Sequence, residues 1–192
     1  KGMLALEAHV ENPESSALFA AYPRIQKDKF AMDLICDTLR MMTMNFEDAA
    51  QVKNMMENQL KKHYHETAAP AHAVHVMAEG IPALGIVAAV LGVIKTMASI
   101  NEPVEVLGAM IGGALVGTFL GVFMAYGFVE PMASRLAQII DDEGQIYKVV
   151  KQIIIGTLHG HPMPLIIEAA RAGISHHNQP SFAEVFDGLR GA

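Results

Sequence analysis

The sequence predicts an all-α fold, in which a membrane helical hairpin is flanked by cytoplasmic amphipathic helices. Two observations predict the hairpin: residues 81–94 and 106–129 carry no charged side chain, and a short turn at 101–105 lies between them. The third observation is that apolar residues on both sides recur at helical spacing, without the alternation that strands show. In chain order, the predicted regions are 1–78, 79–131 and 132–192.

The first region, 1–78, is polar and amphipathic, and we expect it to form cytoplasmic helices. A break is predicted at Asn12, which can cap a helix whose first position suits Pro13. Apolar residues then recur at helical spacing over 28–44. Asn45 is predicted to cap the next helix, because acids occupy its first turn and lysines lie near its end, as the helix dipole favours.

The second region, 79–131, is predicted to cross a membrane twice. About twenty residues of helix span the hydrocarbon of a bilayer. Residues 106–129 meet that length, whereas the first stretch meets it only if Lys95 lies near its end and extends to the interface. The turn has two acids and no lysine or arginine, so the positive-inside rule places it outside and both chain ends in the cytoplasm. A hairpin buried in a soluble core is the alternative.

Glycines at four-residue spacing predict that the second apolar helix packs closely against another helix. In lipid, small residues let two backbones approach and gain contact. The partner is either the first helix, where Ala88 and Gly92 offer a small face, or another chain. The glycines of the predicted packing face are Gly108, Gly112, Gly113, Gly117 and Gly121.

The hairpin is poor in groups that could carry an ion. Thr118 stands near the centre of the second helix, and Lys95 is the one ionisable side chain in the apolar stretches. An isolated threonine usually bonds a carbonyl of its own helix. A proton channel needs a titratable group in the membrane, so a partner would have to supply the carboxylate. Pro82 and Pro131 each lack a backbone donor, which predicts either a helix start and a helix stop or a pair of hinges.

The third region, 132–192, is predicted to return to cytoplasmic helices. One long helix should run from residue 133 to about 158, and the glycine and prolines of 159–164 should end it. Ser181 and Glu184 have the spacing of a capping box, which predicts a last short helix.

Composition and motifs argue against several function classes. A net charge of −6 disfavours nucleic acid as a partner. Among nine histidines, His72 and His75 have a ligand spacing, but no cysteine pair or carboxylate signature joins them, so we expect no metal and no cofactor. Without a phosphate loop, a serine elbow or a dinucleotide fingerprint, we do not expect an enzyme. No signal peptide is visible, and Lys1 begins within a helical pattern, so we expect the chain to lack its N-terminal part.

Four stretches resemble the MotA subunits of bacterial flagellar stators, within the MotA/TolQ/ExbB proton channel family. They are LEAHVENPESS (6–16), PALGIVAAVLGVIKTM (82–97), LGAMIGGALVGTFLGVFMAYGFVEPMAS (107–134) and PSFAEVFDGLR (180–190). The resemblance implies a multi-pass protein of the bacterial inner membrane, of which this chain would hold the third and fourth membrane helices. It implies that such subunits form a ring around a MotB-like dimer, which supplies the ion-carrying aspartate. It also implies that the ring exerts torque on the rotor protein FliG.

The resemblance also implies roles for individual residues. Pro82 and Pro131 fall on the two functional prolines of the family, which favours the hinge interpretation. Thr118 falls on a threonine that faces the ion path, and Ala89 on a small residue near it. Glu7 falls on the acidic residue that meets the rotor.

Two other functions remain open at this stage. One is an ExbB- or TolQ-type energiser of outer-membrane transport, and the other is a passive membrane scaffold. A rotor contact around Glu7 would distinguish the motor subunit from the energiser, and a requirement for Thr118 would exclude the scaffold. A further family acid falls near Gln59, and because the residue differs, we assign it no role.

Overall fold

The computed structural model describes residues 3–44 and 48–190, with side chains over 6–44 and 48–189. Every regular element in those ranges is helical, which confirms the predicted all-α class. The chain forms two compact units: a helical unit, Lys1–Tyr64 with Glu143–Ala192, and a hairpin unit, His65–Asp142. The α-helices are α1 (Met3–Glu11), α2 (Ala17–Ala20), α3 (Pro23–Lys27), α4 (Lys29–Thr43), α5 (Ala49–Ala98), α6 (Val104–Met124), α7 (Glu130–Glu143), α8 (Gln145–Leu158), α9 (Met163–Ala172) and α10 (Phe182–Arg190).

The helical unit is built around α4. Asp28 caps this helix, since its Oδ1 accepts the amide of Ala31 at 3.0 Å. Opposite sides of α4 enter two apolar clusters, and in each the burial of side chains from several helices supplies the stabilising force. Leu34 and Met42 pack with Val52, Met56 and Ile154. Met32 and Cys36 pack with Val10 and Phe19.

Two caps differ from the prediction. The chain breaks after Glu11 as expected and Pro13 begins a 3-10 turn, but the side chain of Asn12 makes no capping hydrogen bond. Asn45, the other predicted cap, lies outside the described residues. The helix that follows is capped instead by Asp48, whose Oδ1 accepts the amide of Ala50 at 2.9 Å.

The C-terminal helices end and begin near the residues that the sequence predicts, although one predicted helix is divided in two. The predicted long helix is divided at Gly144 into α7 and α8, and α8 ends at Leu158. Gly160 then adopts φ +68°, a left-handed conformation that glycine tolerates without a steric penalty. The capping box is confirmed: the amide of Ser181 donates to Glu184 Oε2 at 2.7 Å, and the amide of Glu184 donates to Ser181 Oγ at 3.3 Å.

The two prolines with predicted roles, Pro82 and Pro131, both lie inside helices. The helix start predicted at Pro82 is wrong, because α5 runs through it without interruption from Ala49 to Ala98. The helix stop predicted at Pro131 is also wrong, because α7 already includes it. The residues just before it, Ala125–Val129, form a wide π turn in which the amide of Glu130 donates to the carbonyl of Ala125. Such a turn accommodates a proline by rearranging the backbone bonds of the preceding turn.

Two long helical segments of the chain are apolar and long enough to cross a membrane, Ala49–Ala98 and Val104–Leu158. Residues 99–103 connect α5 to α6. The apolar side chains of both helices are largely uncovered by this chain: Leu84 exposes 71% of its surface and Phe119 68%. A hairpin buried in the chain's own core, the alternative raised above, is therefore not what the chain forms.

Candidate functional site: the helix hairpin

The centre of the hairpin unit is a contact between glycine backbones. Gly85 of α5 and Gly121 of α6 are both buried. A Cβ atom on Gly85 would lie 2.8 Å from the carbonyl oxygen of Gly117 and 3.2 Å from Cα of Thr118. One on Gly121 would lie 3.1 Å from the carbonyl oxygen of Ile81. A real Cβ essentially never lies as close as 2.8 Å to such an atom, and a distance of 3.1 Å is already tighter than most, so glycine at both positions permits this approach of the helices.

The predicted glycine face divides into two groups. A Cβ on Gly117 would lie 3.0 Å from Cβ of Ala88, so this glycine and Gly121 lie against α5. Further along, Gly92 of α5 contacts Ala114. A Cβ would meet no described atom within 4 Å at the other three predicted positions, which are Gly108, Gly112 and Gly113.

Thr118 lies at the glycine contact and bonds across it. Its Oγ1 donates to the carbonyl of Gly85 at 3.3 Å, so the expected bond to its own helix is wrong. By contrast, Oγ1 of Thr96 follows the ordinary pattern and donates to Gly92, four residues back, at 2.9 Å. Close approach of the glycines brings a carbonyl of α5 within reach of the threonine. The hydroxyl oxygen of Thr118 still has lone pairs that can accept a hydrogen bond from water.

Ala89 and Pro82 border this contact. The amide nitrogen of Ala89 lies 4.0 Å from the position of a Cβ on Gly117. Pro82 comes one turn before Gly85 on α5 and directly after Ile81, whose carbonyl faces Gly121. Pro131 lies elsewhere in the unit, beyond the π turn at the end of the hairpin opposite the 99–103 connection. The structure thus brings Thr118, Ala89 and Pro82 together, but not Pro131.

A histidine–glutamate contact joins α5 to α7, and sequence analysis missed it. Nδ1 of His75 lies 2.8 Å from Oε2 of Glu130 and 3.0 Å from Oε1. The other ring nitrogen, Nε2, lies 3.6 Å from Oε1 of Glu79. The i,i+4 spacing of His75 and Glu79 could have been recognised on a helix. No local signal indicates Glu130, which is 55 residues away in the chain.

The remaining predicted residue, Glu7, is exposed on α1 in the helical unit. Glu11 of the same helix pairs with Arg40 of α4 at 2.8 Å, which fixes α1 against α4. Gln59 of α5 has a buried Oε1 without a hydrogen-bond partner among the described residues. Across those residues, no group of three or more His, Cys, Asp or Glu side chains is arranged to hold a metal ion.

An aromatic cluster fixes α8 in the helical unit. Tyr147 meets Phe30 edge-on at 4.9 Å between ring centroids, and Phe30 stacks on His63 at 3.6 Å. The hydroxyl of Tyr147 donates to Oδ2 of Asp28 at 2.9 Å. Burial, and next the bond to Asp28, raise the pKa of Tyr147 to about 12. The cluster therefore depends on a neutral phenol.

The family model that matches residues 26–148 is that of the MotA/TolQ/ExbB proton channel family. The chain belongs to this family. It is similar to Motility protein A of Escherichia coli strain K12, with 36% identity over 98% of this chain and 64% of that protein. The chain thus spans just under two thirds of that relative's length.

Solved structures show the same fold. The chain resembles the C. jejuni MotAB structure with a TM-score of 0.65, at 22% identity, over 94% of this chain and 69% of that one. It resembles the flagellar MotAB stator complex of Bacillus subtilis with a TM-score of 0.61, also at 22% identity, over 97% and 68% of the two chains. The hairpin of α5 and α6, together with the helices around it, is thus an architecture shared with stator subunits.

Proposed function

We propose that the chain is part of a stator subunit of the bacterial flagellar motor. In this proposal it conducts protons together with a MotB-like subunit and transmits torque to the rotor protein FliG. Membership of a proton channel family and similarity to Motility protein A support the proposal. The observation that carries it is the Thr118 hydroxyl, placed at a glycine contact between α6 and α5, the helix that continues through Pro82.

The ion path passes Thr118 and Ala89. Both are half-buried, so one side of each is available to water or to a partner helix. From residue 106 to residue 125 the chain has no ionisable side chain, so the carboxylate that carries the proton comes from the MotB-like partner. The Thr118 hydroxyl can accept from a protonated carboxyl or donate to an ionised one, which fits a group that changes charge during transport.

Pro82 and Pro131 couple proton passage to a change of shape. One charge crossing 100 mV releases about 2.3 kcal/mol. A proline within a helix costs about 3 kcal/mol, so a helix that continues through it lies close in energy to a bent alternative. A proton therefore supplies enough free energy to shift such an equilibrium between two states. Because Pro82 adjoins the Gly85 contact, bending there would move the helix that carries Ala89.

The proposal also includes the orientation of the subunit in the membrane and its assembly with other copies. The subunit lies in the bacterial inner membrane with both ends of this chain in the cytoplasm, where the exposed Glu7 contacts the rotor. Copies form a ring around the MotB-like subunits. The open face at Gly108, Gly112 and Gly113 suits close packing by a helix of a neighbouring copy or of the partner, since a Cβ there would meet no atom of this chain.

Proton flux into vesicles tests the ion path. The full-length protein is reconstituted with its own partner subunit, and flux is measured at an imposed potential for the wild type and for Thr118→Val. We expect a loss of at least tenfold in Thr118→Val, and little change in Thr96→Val, because Thr96 bonds only its own helix. Equal flux in the Thr118→Val complex would refute the assigned role.

An energiser of outer-membrane transport is the second candidate, because the matching family model covers TolQ and ExbB as well as MotA. Glu7 distinguishes the two. In a motor subunit, Glu7→Lys should reduce rotation in cells while proton flux in vesicles is unchanged, since Glu7 belongs to the helical unit and the residues of the ion path belong to the hairpin unit. Full rotation in Glu7→Lys would remove the assigned rotor contact, whereas proton flux without any rotation of cells carrying the wild type would favour the energiser.

A further inference from the structure

We propose that the His75–Glu130 contact is a proton-binding site that holds the two proline-containing helices together. The site is formed by α5 and α7 at the end of the hairpin opposite the 99–103 connection. His75 lies two helical turns before Pro82, and Glu130 directly precedes Pro131. The contact therefore links the two helices beside both predicted hinges. Its role in transport rests on the proposed function, whereas its chemistry does not.

The geometry is that of a histidine between two carboxylates. One ring nitrogen of His75 lies 2.8 Å from Glu130 on α7, and the other lies 3.6 Å from Glu79 on α5. A neutral imidazole has one N–H and no charge, whereas the imidazolium has an N–H on each ring nitrogen and a positive charge that attracts both carboxylates. A charged hydrogen bond is also roughly twice as strong as a neutral one. Protonation of His75 therefore strengthens the link to Glu130.

Among the described residues of α5 and α7, no lysine or arginine pairs with Glu79 or Glu130. On α7, Arg135 donates instead to Oε1 of Gln138 at 3.3 Å. On α5, the other titratable group near the site is His72, one turn from His75. Histidine changes charge close to neutral pH, so the population of the linked state should respond to the pH range of the cytoplasm.

A cavity of about 260 Å³ adjoins the contact and gives water access to it. His72, His75, Glu130 and Ser134 line it together with alanines. A cavity with several polar groups and this volume is large enough for ordered water. Protons can thus reach and leave His75 by way of water without passing through an apolar layer.

The site lies on the same side of the hairpin as the expected exit of the ion path. Glu130 follows Thr118 by twelve residues, about 18 Å along a helix, and His75 precedes Gly85 by ten, about 15 Å. A proton that has passed Thr118 would reach this site by way of water near the membrane surface. Binding of the proton to His75 would strengthen the link between α5 and α7, and its release would weaken that link.

Spin-label distances test the site without depending on rotation. Labels are placed at Ala69→Cys on α5 and Ile139→Cys on α7, both exposed, in the full-length complex with Cys36→Ser and no other cysteine. Labelled subunits are diluted with unlabelled ones, and distances are measured by pulsed electron resonance at pH 6 and pH 8. We expect the ratio of separated to linked populations to rise about fivefold at pH 8.

Two variants identify the residue responsible. His75→Gln should give the separated population at both pH values, and His72→Gln, on the same helix and lining the same cavity, should keep the wild-type response. An unchanged ratio in the wild type, or an equal pH response in His75→Gln, would overturn the proposal. Should His75→Gln fail to assemble, Glu130→Gln replaces it with the same expected loss of response. A complex that responds to pH but conducts no protons would count against the motor function alone.

Discussion

Replacing Gly85 by alanine should separate α5 from α6 at the centre of the hairpin. The new methyl group would lie 2.8 Å from the carbonyl oxygen of Gly117, and ordinary contact begins near 3.4 Å. The helices would therefore have to move apart by about 0.6 Å at this point. The neighbouring atoms are backbone, so no side-chain rotation can relieve the overlap.

Two effects determine how much free energy of helix association Gly85→Ala removes. Overpacking of a close contact typically destabilises a protein by about 1–3 kcal/mol. Separation also lengthens the 3.3 Å bond from Thr118 to the Gly85 carbonyl, and interhelical hydrogen bonds in membranes contribute about 0.6 kcal/mol on average. Together these effects predict at least a tenfold fall in the equilibrium constant for helix association.

The assay is the free energy of separating the two helices in lipid, measured by steric trapping. Gly80→Ala is the matched control, because it lies on the same helix and a Cβ there would meet nothing within 4 Å. Alanine should be neutral or favourable at that position, since it removes the conformational freedom of glycine. If Gly85→Ala were no more destabilising than Gly80→Ala, the glycine contact described for α5 and α6 would be refuted.

Two further predictions concern the helical unit. Tyr147→Phe should reduce its stability at neutral pH, because the phenol donates to Asp28. Since the pKa of Tyr147 is raised to about 12, its stabilising effect is complete below pH 10 and is lost as pH rises through 12. Chemical denaturation at pH 7 and pH 11.5 should show a pH-dependent loss that is smaller in Tyr147→Phe, and an identical loss in both proteins would contradict this. Ser181→Ala should destabilise α10 by about 1 kcal/mol, because it removes the cap on the Glu184 amide. Faster amide exchange confined to 182–190 would show this, whereas unchanged exchange would not fit.

The features that the sequence predicts well are those determined by neighbours along the chain. Charge-free stretches of sufficient length indicate α5 and α6. A bilayer requires an apolar side chain at each position of a membrane helix, and this can be read from each residue without knowing its contacts. The Ser181–Glu184 box is confirmed because its partners are three residues apart. The break after Glu11 follows from Pro13, although the cap expected of Asn12 does not form.

The features that the sequence did not predict depend on backbone adjustments and on contacts between residues far apart in the chain. A helix stop was one of two interpretations of Pro131, and it does not form because the π turn before Pro131 adjusts the backbone bonds; no residue pattern marks that turn. The bond joins Thr118 to Gly85, 33 residues away in the chain, and it exists only because glycines of α5 and α6 bring two backbones together. The His75–Glu130 contact likewise joins residues that only the folded hairpin makes neighbours.

Rotation of tethered cells tests the central claim most directly. The full-length protein and its own MotB-like partner are expressed in a bacterium without flagellar stators, and speed is recorded for the wild type and for Pro131→Leu at equal membrane levels. The account predicts rotation with the wild type and its loss with Pro131→Leu, because leucine restores the missing backbone donor and favours an unbroken helix. Absence of rotation from a stable, inserted wild-type complex would contradict the motor function, and full speed in Pro131→Leu would contradict the hinge.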